Sequence, residues 1–267
     1  MRDFLEFDHD AAALERAAAD PIAKARALNR RDLPKRFYTS ASVRALDGEA
    51  MSGFAIDLDG RPIQTPAKRR LVVPERHIAE AIAGEWNAQG DFIDPGTMAF
   101  TRLANSVIDG VVDRRTEVIE DLVSFAGSDL LCYRAEAPER LVERQTLVWD
   151  PILDWIEERF GARFLVSEGL MPLRQEAEAI ARVRQAVRDH APFKLAGLHC
   201  VTTLTGSVLI ALALAEGRLD PDAAWAAGSL DELWSIEVWG HDDEAADRLA
   251  QRRREFDAAV AFLSGQR

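Results

Sequence analysis

Apolar positions change their period near residue 74. Before that point they come in short runs. Residues 37–46 (FYTSASVRAL) and 54–58 (FAIDL) read as strands, the second alternating apolar and polar as a half-buried strand does. Residues 61–64 and 71–73 add two more, bounded by Pro62, Pro66 and Pro74, and the dipeptides Asp47-Gly48 and Asp59-Gly60 mark turns. After Pro74 the period becomes helical. Ile78, Ile82 and Trp86 fall on one face of a helix that stops near Gly90, and Asp94-Pro95-Gly96 is a turn. Residues 97–125 carry a helical stripe (Leu103, Val107, Val111, Ile119, Leu122) that Asp109-Gly110 divides. Residues 128–134 form an apolar connection, 141–160 a helix kinked at Asp150-Pro151, and 163–166 a brief strand. Further helices are expected at 175–188, 192–216, 221–238 and 242–263, the third opened by an Asp220 cap and Pro221.

Strands first and helices afterwards make the fold class α+β: a small N-terminal β-containing domain followed by a larger all-helical one. The expected division is a helical N-terminal arm over 1–33, a β-containing domain over 34–95 and a helical domain over 96–267, with the seam between residues 90 and 100. The arm is weakly amphipathic, its sparse apolar positions Leu14, Ile22 and Leu28 divided by Pro21. No repeat or low-complexity tract interrupts the 267 residues.

Charge narrows the possible partners. A net charge of −12 argues against nucleic acid and anionic membranes, which require clustered cations. Seven cations (Lys35, Arg36, Arg44, Arg61, Lys68, Arg69, Arg70) nevertheless gather in the β unit. Two cysteines, Cys132 and Cys200, make no disulfide framework and indicate a reducing compartment. The N-terminus is acidic from its third residue and has no apolar core, so neither a secretory signal nor a mitochondrial leader is expected. Residues 198–215 approach the length of a membrane span, but His199, three threonines, Gly206 and Ser207 make them the core helix of a helical domain, and no membrane insertion is expected.

Catalytic patterns are missing. The chain has no phosphate-cradling GxxxxGK[ST], no GxGxxG, no HExxH and no GxSxG. The histidines at 9, 77, 190, 199 and 241 make no ligand pair at helical spacing. His199 with Ser207, eight residues apart, reads as a polar pair in a bundle rather than as a base and nucleophile. No cofactor and no metal is expected. The unusual stretch is 231–247 (DELWSIEVWGHDDEAAD), with seven carboxylates, two tryptophans and no Lys or Arg. Rings supply contact area and charges supply orientation, so this mixture suits a partner-binding surface. Read blandly, it is a corner between helices whose tryptophans are buried.

Eight stretches in order carry a resemblance: Lys35-Arg36-Phe37-Tyr38, LDGRPIQTPAKR (58–69), AIAGEW (81–86), TRLANSVID (101–109), SDLLCYRAE (128–136), WDP (149–151), LTGSVLIALALAEG (204–217) and LDELWSIEVWG (230–240). Over residues 34–255 the chain resembles the assembly chaperones for the alpha subunit of the soluble catalytic head of F-type ATP synthase, of the alphaproteobacterial and mitochondrial type. The resemblance implies a non-enzymatic, ATP-independent chaperone that holds the unassembled alpha subunit until it pairs with the beta subunit. It implies functional acids in the helical domain, placed on Glu232 and then on Asp243 or Glu244. The candidate partner-binding set is Glu232, Glu237, Asp243, Glu244, Trp234 and Trp239, the two tryptophans being read as fixing the turn between the last two helices. The chain is read as monomeric, bacterial and cytoplasmic, equivalent to the mitochondrial matrix in eukaryotic relatives. An enzyme of unknown reaction with a cleft in the helical domain, and a scaffold for a different client, are the alternatives.

Overall fold

A computed structural model describes residues 33–48, 51–169, 173–240 and 242–264. The expected arm therefore lies outside the described residues except for Leu33. Strands β1 (Ala41–Gly48) and β2 (Met51–Leu58) form an antiparallel hairpin in register from Ala41↔Leu58 to Gly48↔Met51. The short strands β3 (Arg61–Pro62) and β4 (Val72–Val73) share the other edge of β2. The first strand run is thus shorter than expected, starting at residue 41. The run at 61–64 keeps only two strand residues, because Gln64 turns to bridge Arg70 instead. Asp59 (φ 47°) and Gly60 (φ 79°) make the turn into β3, as the Asp-Gly pair predicts. Asp57, buried in the sheet, is matched by Arg44, whose Nε and Nη2 donate to its two oxygens at 2.6 and 3.0 Å.

Helix α1 (Arg76–Asn87) crosses this sheet and buries Ile78, Ala79, Ile82 and Ala83. The Asn87 side chain ties it to β1, accepting from Ala41 N at 2.8 Å and donating to Ala41 O at 2.9 Å. The resulting small core also takes in Met98, Ala104 and Val107, and it reaches Ala196 and Phe262 from later helices.

The helical part comprises α2 (Ala99–Ser106), α3 (Arg115–Ala126), α4 (Glu139–Phe160), α5 (Ala177–Val187), α6 (Pro192–Thr205), α7 (Val208–Ala215), α8 (Pro221–Gly228), α9 (Leu230–Trp239) and α10 (Asp243–Leu263). With the sheet before it, this is the α+β class. The stripe at 97–125 is indeed divided at Asp109-Gly110, by a π-turn over Val107–Val111. Helix α4 runs through Pro151. The carbonyl that loses its amide there is that of Leu147, a 77% exposed residue, so water can satisfy it. Residues 163–166 form no strand. Gln175 grips Leu165 instead, accepting from its N–H and donating to its carbonyl at 2.9 Å each, and the parallel pair is β5 (Tyr133–Arg134) with β6 (Ser167–Glu168).

Two of the expected helices, 192–216 and 221–238, are each split. Gly206 adopts φ 71° and caps α6, and Ser207 then opens α7 by accepting from Ile210 N at 3.0 Å. No described helix is long and apolar enough to cross a membrane. Helix α8 ends at Gly228, where a Cβ would lie 2.6 Å from Thr205. The cap expected at its start holds, Asp220 accepting from Ala223 N at 2.8 Å.

Candidate partner-binding site

Helices α9 and α10 carry the acidic stretch, and their packing sends its members in different directions. Toward α4, Asp231 accepts from the Gln145 side chain at 2.8 Å, the Arg140 guanidinium lies 5.9 Å from the Trp234 ring centre, and Arg144 donates to Glu237 at 2.7 Å. Glu237 sits in the last turns of α9, where the helix dipole disfavours an acid, and Arg144 offsets that. Toward α10, Glu232 accepts from Arg252 Nη1 at 2.6 Å. Arg252 also donates to Leu204 O at 2.8 Å and lies 5.8 Å from the Trp225 ring centre. Glu232 is therefore half-buried at a junction of α6, α8, α9 and α10.

Gly240 (φ 91°) ends α9, and α10 starts two residues later with Asp242 accepting from Glu244 N at 3.1 Å. Asp243 and Glu244 occupy the first turn of α10, where acids favour the helix dipole. Both are exposed. Glu244 pairs with Arg248 one turn on at 2.7 Å, and Asp243 has no ion pair among the described residues. Trp239 corrects an expectation. Rather than being buried at the corner it is 86% exposed, beside Val238 at 50%. The reason is its place as the last residue of α9, directly before Gly240 (φ 91°) turns the chain toward α10. Trp234 does pack, being partly buried under Arg140.

The candidate set thus divides. Glu232, Glu237 and Trp234 are held by arginines of the chain itself, while Trp239, Asp243 and Glu244 form an outward corner. The sequence reading missed Arg140, Arg144 and Arg252, because their partners lie far away along the chain. It also missed the exposed Leu147 and Val238, since periodicity marks apolar residues as core whether or not anything covers them.

A cleft exists in the helical part. It encloses about 570 Å³ among α2, the π-turn, α3, α6 and α10, with His199 Nε2 2.6 Å from Asp121 Oδ2 at its wall. Cys200, also lining it, has its thiol pushed up to about 11 by burial, so it is no thiolate nucleophile at neutral pH. Cys132 is pushed further, to about 12, for the same reason. Ser207 is engaged in capping α7, away from His199. Among the described residues no group of three or more His, Cys, Asp or Glu could hold a metal ion.

The α+β scaffold thus carries an exposed aromatic–acidic corner between α9 and α10, and aromatic area beside charge is the make-up of a binding surface. The sequence profile described as ATP12 chaperone protein matches residues 35–157. The crystal structure of Atp12 from Paracoccus denitrificans is 38% identical, with a TM-score of 0.76 over 86% of this chain and 97% of that one. An aspartate-to-lysine mutant of the same P. denitrificans protein matches at 37% identity and a TM-score of 0.76. Atu1473 from Agrobacterium tumefaciens, described as a candidate chaperone, is 46% identical with a TM-score of 0.81 over 91% of this chain and 90% of that one. The chain belongs to the ATP12 chaperone family.

Proposed function

We propose that this chain is a non-enzymatic, ATP-independent chaperone of ATP synthase assembly. It holds the unassembled alpha subunit and releases it to the beta subunit. Membership of the ATP12 chaperone family supports the assembly role. The observation that carries the binding reading is the corner of Trp239, Asp243 and Glu244. A tryptophan left 86% exposed in a folded chain is a ready anchor for a partner, and flanking acids orient that partner. An unpaired alpha subunit exposes the surface it will later bury against its neighbour, so a holder must cover that surface yet bind less tightly than the final partner. The acids paired with the chain's own arginines, half-buried Glu232 and exposed Glu237, support this corner by tying α9 to α10 and α4. The same reading keeps the chaperone monomeric and cytoplasmic, and divides it at residues 95/96.

The test is binding of purified alpha subunit to the wild type and to Trp239→Ala, with beta subunit then added as competitor. The expected outcome is capture by the wild type, displacement by beta subunit, and roughly a tenfold or greater loss of affinity in the variant, typical of an aromatic anchor. A wild type that never captures alpha subunit refutes the proposal.

A further inference from the structure

A second surface lies at the opposite sign of charge. Three stretches far apart in the chain converge on an open pocket of about 580 Å³: Phe37 and Tyr38, the β2–β3 turn with Arg61, Pro62 and Ile63, and Trp86 of α1. Its apolar side is unusually bare, since Phe37 is 74% exposed while its ring stacks edge-on against Tyr38 at 5.4 Å. Lys35 bridges Phe92, another exposed ring, next to it.

Among the described residues the cations around this pocket make no ion pair, although the Arg36 charge helps to hold the nearby Asp59 carboxyl below its usual range. Arg36 sits 4.7 Å from the Tyr38 ring centre and donates to the carbonyls of Tyr38, Thr39 and Gln89, all uncharged acceptors. Arg61 lines the pocket, as does Gln64, and the Gln64↔Arg70 bridge sets Arg70 directly opposite Gln64. Neither the Arg61 nor the Arg70 side chain makes a hydrogen bond or ion pair among the described residues, and both residues are exposed. The acid at the pocket, Asp59, is already occupied. It accepts from Thr39 N and Ser40 N at 2.9 Å each, and those amides hold its carboxyl below the usual range. In a chain of net charge −12, this is a local positive field over an apolar cup.

We propose that the Phe37–Arg61–Arg70 pocket is a second docking surface that takes an acidic segment of the client protein, an apolar side chain of that segment entering among Phe37, Pro62 and Ile63 while its carboxylates meet Arg61 and Arg70. The inference rests on the reading of the chain as a holder of alpha subunit. Charge complementarity selects an acidic occupant and excludes the basic segments that the α9–α10 corner attracts. Two surfaces of opposite sign fix the client in one orientation, which a single patch does not.

The experiment compares the wild type, Arg61→Glu/Arg70→Glu and Phe37→Ala in binding purified alpha subunit at low and at physiological salt. These side chains are exposed and the two arginines unpaired, so thermal unfolding should stay at the wild-type midpoint, and Arg61→Gln/Arg70→Gln provides a milder pair. The expected result is about a tenfold loss for the charge reversal at low salt, with a flattened salt dependence, and a smaller, salt-independent loss for Phe37→Ala. If the wild type binds alpha subunit and the charge reversal binds it equally with the same salt dependence, the pocket proposal is overturned and the holder reading stands. If the wild type binds no alpha subunit, both are overturned.

Discussion

Arg252 shows how a single residue changes the meaning of its neighbours. Read alone, Glu232 is an acid in an acidic stretch, free for a partner. Beside Arg252 at 2.6 Å it becomes one member of a half-buried pair, whose other half also ties α6 through Leu204 O. With more than a third of each side chain exposed, water screens the pair, and it contributes at most about 1 kcal/mol. Its weight lies in placing α9. A second acid, Asp129, is fully buried and caps two turns at once, accepting from Leu131 N at 3.1 Å and Leu209 N at 3.2 Å. Burial pushes its carboxyl up to about 6, against those hydrogen bonds and one from Ser207. The folded protein therefore binds this proton more tightly than the unfolded chain, whose carboxyl titrates near 3.8. As pH rises from about 4 to about 6, this group reduces stability, and the full penalty is present at neutral pH. Relative to Asp129→Asn, whose side chain does not titrate, the wild type should gain roughly 2 kcal/mol of unfolding free energy between pH 7 and pH 4. Urea denaturation of both proteins across that range checks it, and parallel curves would rule it out.

At the scale of elements, the crossing of α6 and α10 organises the helical part. Gly197 permits it: a Cβ there would lie 2.9 Å from the Ala259 carbonyl and 3.0 Å from a Leu263 methyl. One contact is backbone, which cannot rotate away. Gly197→Ala should therefore destabilise by about 1–3 kcal/mol, lowering the midpoint of thermal unfolding, although alanine is the better helix former in isolation. An unchanged or raised midpoint would mean the helices separate freely. The π-turn at Val107–Val111 is another element with a job. It presents Asp109 to the loop after β3, accepting from Thr65 Oγ1 at 2.6 Å and Ala67 N at 3.0 Å, while Arg69 reaches back to Ile108 O at 2.7 Å. The Asp-Gly pair legible as a helix break is thus the latch between the sheet and the helices.

Over the whole molecule, two apolar cores meet at the C-terminal helix. Phe262 belongs to the core around the sheet, yet it rides on α10 and lies 5.8 Å from the Phe193 ring and 6.3 Å from Phe100. Truncation to Phe262→Ala should cost about 3–5 kcal/mol and loosen the sheet from the helices. Tryptophan fluorescence and far-ultraviolet circular dichroism should then report separate transitions. Transitions that stay coincident would show the joint to lie elsewhere. Such a joint keeps the basic pocket and the acidic corner at a set distance, as a two-point grip on a client requires.

The amino-acid sequence by itself determined the order and type of most elements, the strand expected at 163–166 and the β5–β6 pair excepted, because strand alternation, helical spacing and start signals such as Asp220-Pro221 are local properties of the chain. It also marked the acidic stretch, since composition survives without coordinates. Boundaries inside long apolar runs were harder. Gly206 and Gly228 each end a helix, yet neither interrupts the hydrophobicity that periodicity follows. Tertiary structure alone decided which acids are occupied and which rings are bare. Arg144 and Arg252 reach Glu237 and Glu232 from 93 and 20 residues away, distances over which no local pattern carries information. Trp234 and Trp239 are the same residue type five positions apart. One packs under Arg140 and the other stands 86% exposed, because burial belongs to what lies opposite a side chain, and only the folded chain supplies that.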